Sequence, residues 1–183
     1  RGERRAPCLR HTAAAPRYAG YMERLGTTEA AVDGAYRNPA PQPARQRGEF
    51  PKATSSRVCR NQPQFSHINV SDGKTDNKGH GKARPSWGPD QRDDLWLKID
   101  LGKQHDIDKV VVTIRADFPH DSWWKSGTLQ FSDGSALHVT LNKKDAAQTI
   151  AFPPRQVSWV KFTDLVAAEP KWCGLTEVEI WGR

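Results

Sequence analysis

After about residue 50 the chain alternates apolar and polar positions with the period of a β-strand. Within residues 95–101, Leu95, Leu97, Ile99 and Leu101 share one face, and Gly102 is expected to end the strand. Residues 108–115 predict a second strand, with Val110, Val112 and Ile114 on one side and Thr113 and Arg115 on the other. That parity sends Arg115 away from the apolar face. Residues 128–132 and 136–141 flank Ser132-Asp133-Gly134-Ser135, a hairpin signal. Residues 148–152 run into Pro153-Pro154, which is expected to stop them, and residues 158–163 turn Val160 and Phe162 inward. Residues 175–181 place Val178 and Ile180 inside, with Glu177 and Glu179 on the opposite side. About seven short strands separated by turns, and no long helix, predict an all-β fold: an antiparallel β-sandwich or jelly roll.

The first 49 residues have another character. They carry nine Arg, no Lys and five acidic residues, and end in the Pro-interrupted polar run NPAPQPARQRGE. They hold too few large apolar residues for a core of their own. Residues 1–49 therefore read as an Arg/Ala/Pro-rich, mostly irregular extension or linker. A short amphipathic helix between Tyr18 and Val32 is opposed by Gly20 and Gly26. Residues 50–183 form the folded module, and a chain of 183 residues accommodates one domain with such an appendage.

Charge and cysteine content narrow the classes. The net charge of +7 suits nucleic acid, anionic membranes or acidic polysaccharides without choosing among them. No motif or basic helix supports nucleic acid. No apolar run approaches the roughly 18 residues of a membrane span. Cys8, Cys59 and Cys173 form no CxxC pair and no zinc set. The positions of Cys59 and Cys173, near the start and end of the module, leave a bridge or two separate buried thiols equally open.

The densest chemistry lies in residues 115–125, RADFPHDSWWK. Recognition of a sugar needs an aromatic platform for the C–H face of the ring and planar polar groups for its hydroxyls. Arg115 donates, Asp117 and Asp121 accept, and His120 does either. Trp123 and Trp124 are neighbours in an extended chain and point to opposite sides. One is therefore expected to be the platform and the other a core plug. Trp172 sits on another loop and is a candidate second wall, and Arg92 a candidate source of further polar contacts. Trp87 is expected to be packed.

Three segments, in order, carry a resemblance: SDGKTDNKGHGKARPSWG, LWLKIDLGKQHDIDKVVVTIR and LTEVEIWG. They resemble the discoidin, or coagulation-factor type C, superfamily with its galactose-binding-like fold, and most of all bacterial carbohydrate-binding modules. The resemblance covers residues 50–183 and implies a module that is secreted or at the cell surface, monomeric or part of a larger multidomain chain. It also implies one structural calcium held by Asp72 and Glu177. The loop is longer than the family pattern, and Pro85 stands where the family has Thr. The residues alone equally allow Asp72 to cap a turn with Gly73.

The function expected is non-catalytic binding of a glycan through rim loops, as an accessory domain of a secreted glycan-active protein. The alternative is a discoidin-type membrane or cell-surface adhesion module. Asp117, His120 and Asp121 crowding one loop speak against an anionic membrane. An enzyme is not expected, because no nucleophile elbow, P-loop or metal-binding helix is present.

Overall fold

In the computed structural model, residues 50–75, 85–116 and 122–183 are described. The extension 1–49, with the helix considered between Tyr18 and Val32, lies outside them. Six strands occur among the described residues: β1 (Lys52–Ser55), β2 (Leu97–Ile114), β3 (Trp124–Phe131), β4 (Ala136–Thr140), β5 (Gln148–Ala167) and β6 (Leu175–Gly182). All pairings are antiparallel. Three short 3-10 turns, Cys59–Asn61, Pro63–Phe65 and His67–Ser71, follow β1.

Two strands are far longer than the alternation predicts. Gly102 does not end the first one: β2 continues through it to Ile114. Likewise Pro153-Pro154 do not stop β5, which runs on to Ala167. The reason is that both irregularities sit at bulges. Gly102 has φ of 80°, and the register slips between Asp100 and His105. The prolines lie between Ala151, opposite Lys109, and Arg155, opposite Ile107, where β5 has residues to spare. Unpaired positions at a bulge need no ladder N–H, so proline is tolerated there.

Bending at these bulges lets β2 and β5 serve both layers of a sandwich. The first half of β2 lies between β1 and the second half of β5, with Ile99 opposite Ala53 and Val160. β3 and β4 extend this layer. The second half of β2 lies between β6 and the first half of β5, with Val110 opposite Ile180 and Ile150. Leu97, Ile99, Leu129, Val160 and Phe162 of one layer line a small apolar void together with Val112 and Val178 of the other.

The alternation assigns the faces correctly. Val160, Phe162, Val178 and Ile180 are buried, and the predicted hairpin forms. Its turn is closed by Gly134 N–H donating to the Phe131 carbonyl, with Gly134 at φ 84°. Trp87 is fully buried and stacks on Trp124, with ring centroids 5.3 Å apart. Its indole N–H donates to the Arg57 carbonyl. Cys59 and Cys173 are both buried and are not bridged to each other.

Trp124 is 2% exposed and anchors the start of β3. Trp124→Ala is expected to lower stability by about 3–5 kcal/mol through lost burial and the cavity left behind. Equilibrium urea unfolding measures this, and a loss below about 1 kcal/mol contradicts the packing described.

Candidate functional site

At one end of the sandwich, three connections meet around the start of β3. The Ser122 N–H donates to the Trp172 carbonyl at 2.8 Å, and the Ser122 hydroxyl accepts from the Glu169 N–H at 3.1 Å. The Ala168 N–H donates to the Trp123 carbonyl, and the Leu141 N–H to the Lys125 carbonyl. Segments 122–125, 141–143 and 168–174 thus share one rim. Trp172 is 38% exposed there, beside the exposed Lys171–Glu169 ion pair. Trp123 is half-buried, its indole N–H donates to the Leu141 carbonyl, and the Lys143 ammonium lies 5.5 Å from its ring centroid.

Trp124 takes the core position and Trp123 the rim position, as the opposed directions of neighbouring side chains require. Arg115 departs from expectation. Its side chain is 4% exposed and so does not project into solvent. One guanidinium nitrogen donates to the Ser86 hydroxyl at 3.3 Å, and the guanidinium lies 5.8 Å from the Phe65 ring centroid. Arg115 does take the side opposite the apolar face, as the parity requires, but that side of β2 is covered, not solvated: Thr113 on the same side is also buried. Gly174 lets the chain pass close to Trp87, since a Cβ there would lie 3.1 Å from the Trp87 carbonyl oxygen, whereas its 3.5 Å approach to the Arg115 Cβ would be an ordinary contact. The Arg115 N–H donates to the Gly174 carbonyl, so the arginine lies beneath the loop that carries Trp172.

Asp117, His120 and Asp121 lie outside the described residues. Arg92 is exposed and held by Asp94 through two hydrogen bonds of 2.7 and 2.8 Å. No contact among the described residues brings Arg92 to Trp123 or Trp172. Lys143 and Ser122 were not singled out from the sequence. Lys143 follows the strand ending near Leu141, so the rule that strand ends form the rim could have found it.

A second cluster lies between residues 72–73 and β6. Glu177 is 1% exposed, and neither carboxylate oxygen has a hydrogen-bond partner among the described residues. Burial, reinforced by the charge of Asp72, pushes its pKa up to about 9, against a smaller opposing pull from the nearby Gly73 amide. Thr113, directly opposite Glu177 in the ladder, has an equally orphaned buried hydroxyl. Asp72 accepts from the Lys74 N–H at 3.0 Å beside Gly73 at φ 77°, so its turn-capping role is realised. Its other oxygen lies 3.6 Å from the Lys74 ammonium.

Residues 51–181 match the family described as "Domain of unknown function (DUF7402)". No curated protein matches the chain. Among solved structures, it is similar to chitosan-binding module 1 of a chitosanase/glucanase from Paenibacillus sp. IK-5, at 21% identity and a TM-score of 0.59. That match covers 80% of this chain and 100% of the other. A Streptococcus pneumoniae fucose binding module, SpX-3, matches at 14% identity and TM-score 0.60, covering 80% and 98%. The family 32 carbohydrate-binding module of C. perfringens NanJ, solved with galactose, matches at 15% and 0.55, covering 71% and 92%. At such identities the likeness is one of fold, an antiparallel β-sandwich.

The raised pKa of Glu177 has a definite sign. Below about pH 4.5 the group is protonated in both states. Between there and about 9 the folded chain keeps a proton that the unfolded chain has lost, so stability falls as pH rises. In chelator-treated protein the melting temperature is expected to decline between pH 5 and 8, and Glu177→Gln to flatten that decline. An identical slope in the variant contradicts the assignment.

Proposed function

The chain belongs to the DUF7402 family, and from that premise we propose that it is a non-catalytic glycan-binding module whose ligand lies on the rim carrying Trp172 and Trp123. The observation that carries this reading is the exposed Trp172 indole, tied through its own carbonyl to Ser122 beside Trp123. A large aromatic surface at a loop tip is suited to the C–H face of a pyranose. Lys143, Lys171, Glu169 and the Ser122 segment supply the polar surroundings such a ring needs. Asp117, His120 and Asp121 belong to the same connection and complete the polar set in this reading. Arg115 acts from below, bracing the Gly174 turn rather than reaching the sugar from solvent. The folds of the chitosan-, fucose- and galactose-binding modules support the assignment without transferring their ligands. The module serves as an accessory domain of a secreted, glycan-active protein. No helix of the described residues is long and apolar enough to cross a membrane.

A site that engages one or two sugar rings is weak. At roughly 0.3 kcal/mol per heavy atom, some 12–20 contacting atoms give about 4–6 kcal/mol, a dissociation constant on the order of 0.1–1 mM. With a glycan identified by array screening, isothermal titration of Trp172→Ala is expected to show about a tenfold loss or more, and Trp123→Ala a smaller one. Unchanged binding in both variants removes the rim from the account. Anionic liposomes serve as the control for membrane adhesion, and wild-type protein is expected to stay in the supernatant at low salt.

We further propose that Asp72 and Glu177 hold one structural calcium. The fit rests on the two orphaned Glu177 oxygens, the orphaned Thr113 hydroxyl beside them, and the proximity of Asp72. Among the described residues no group of three or more His, Cys, Asp or Glu gathers, so backbone carbonyls and water would complete the oxygen shell calcium favours. When bound, the ion would neutralise the buried carboxylate and tie the loop after His67–Ser71 to β6. Millimolar calcium is expected to raise the melting temperature of chelator-treated wild type and leave Glu177→Gln unmoved. Equal shifts in both proteins, or none in either, contradict the site.

A further inference from the structure

The outer face of the β1–β2–β5–β3–β4 layer is not a bland solvated surface. Leu97, Ile99, Val160 and Phe162 point inward, so the alternating residues Trp96, Lys98, Trp159 and Lys161 share the opposite face. Lys98 and Lys161 are direct cross-strand partners. Like charges directly opposite each other destabilise a sheet. Here each is drawn over an indole of the other strand: the Lys98 ammonium lies 4.8 Å from the Trp159 ring centroid, and the Lys161 ammonium 5.0 Å from that of Trp96. Such stacking stabilises an ammonium while leaving its charge in place. Register continues the row at both ends, with Thr54 opposite Lys98 and Gln130 opposite Lys161. Asp100 offsets little of this charge, because it stands 3.9 Å from Lys98 and also accepts the Gly102 N–H.

We propose that this row is a second binding surface, for a linear polysaccharide bearing carboxylate groups, laid across the strands along Thr54, Lys98, Lys161 and Gln130. Charge complementarity selects an anion. The chain's own extension does not supply it, since residues 1–49 carry nine basic against five acidic residues. Lys98 reaches over Trp159 and Lys161 over Trp96, on opposite sides of their cross-strand pair, so the two ammonium groups spread the positive charge along the strands as well as across them. The Thr54 hydroxyl and Gln130 amide offer donors and acceptors to ring hydroxyls on either side. Both indoles already carry an ammonium over the ring, which leaves a poorer platform for the base stacking that single-stranded nucleic acid requires. The surface is built from strands rather than loops and does not depend on the Trp172 rim.

Affinity electrophoresis of the full chain through gels containing polygalacturonate, with dextran as the neutral control, tests the proposal. Wild type is expected to be retarded by polygalacturonate alone. Lys98→Gln/Lys161→Gln is expected to lose about tenfold in affinity, equivalent to roughly 1.4 kcal/mol. Gln130→Lys, which extends the basic row, is expected to gain severalfold. Trp172→Ala is expected to bind polygalacturonate like wild type, so failure of the rim assignment and failure of this one are separable. Absence of retardation, equal retardation by dextran, or full binding by the double variant overturns the proposal. So does tighter binding of oligothymidylate through the same two lysines.

Discussion

The constraint on which the structure depends is that β2 and β5 pair with each other twice, once in each layer. Their first encounter aligns Ile99 with Val160, and their second aligns Val110 with Ile150. Between the two, Gly102 and Pro153-Pro154 absorb the bend as bulges. Two separate sheets would be free to slide over each other, whereas a shared pair of strands fixes their register through covalent bonds. The core follows from this, because both inner faces must close on the same residues. The rim follows too: the end of β2 and the start of β6 are bound at Arg115 and Gly174, while the Trp87 bridge to Leu175 lies alongside.

Much of this was legible in the alternation, since side chains on a strand have only two directions. Val178 and Ile180 inside, the Ser132–Ser135 turn, and the opposed directions of Trp123 and Trp124 all follow from period and turn chemistry. The misreadings share one cause. Gly102 and Pro153-Pro154 were taken at their local propensity, which favours breaking a strand. Sandwich topology instead uses them as corners. Parity rightly sends Arg115 away from the apolar face of β2. Alternation shows which side a residue takes, but not whether a loop covers that side. Residues 85–87 and Phe65 cover it here. Neither thiol placement nor the Lys143–Trp123 contact had a local signature, because both depend on segments distant in sequence.

Two places defy the stability rules the rest of the chain obeys. Glu177 is an acid buried with no charge-compensating partner among the described residues, and Lys98 faces Lys161 across a ladder. Conflicts of this kind in an otherwise consistent sequence mark positions whose requirements are met by something outside the chain. The divalent cation proposed at Asp72 and Glu177 would resolve the first, and the anionic polymer proposed for the sheet face the second. The rim is of a different sort, with no frustrated charge. There it is an exposed indole on a braced loop that departs from the buried indoles of Trp87 and Trp124.

The most direct measurement is a proton–nitrogen correlation spectrum of the indole N–H groups, followed while glycans selected by array screening are added. The account predicts that the Trp172 resonance shifts with saturation, that Trp123 follows by a smaller amount, and that the stacked Trp87 and Trp124 resonances stay in place. A spectrum in which Trp172 is unmoved at saturating glycan contradicts the central claim.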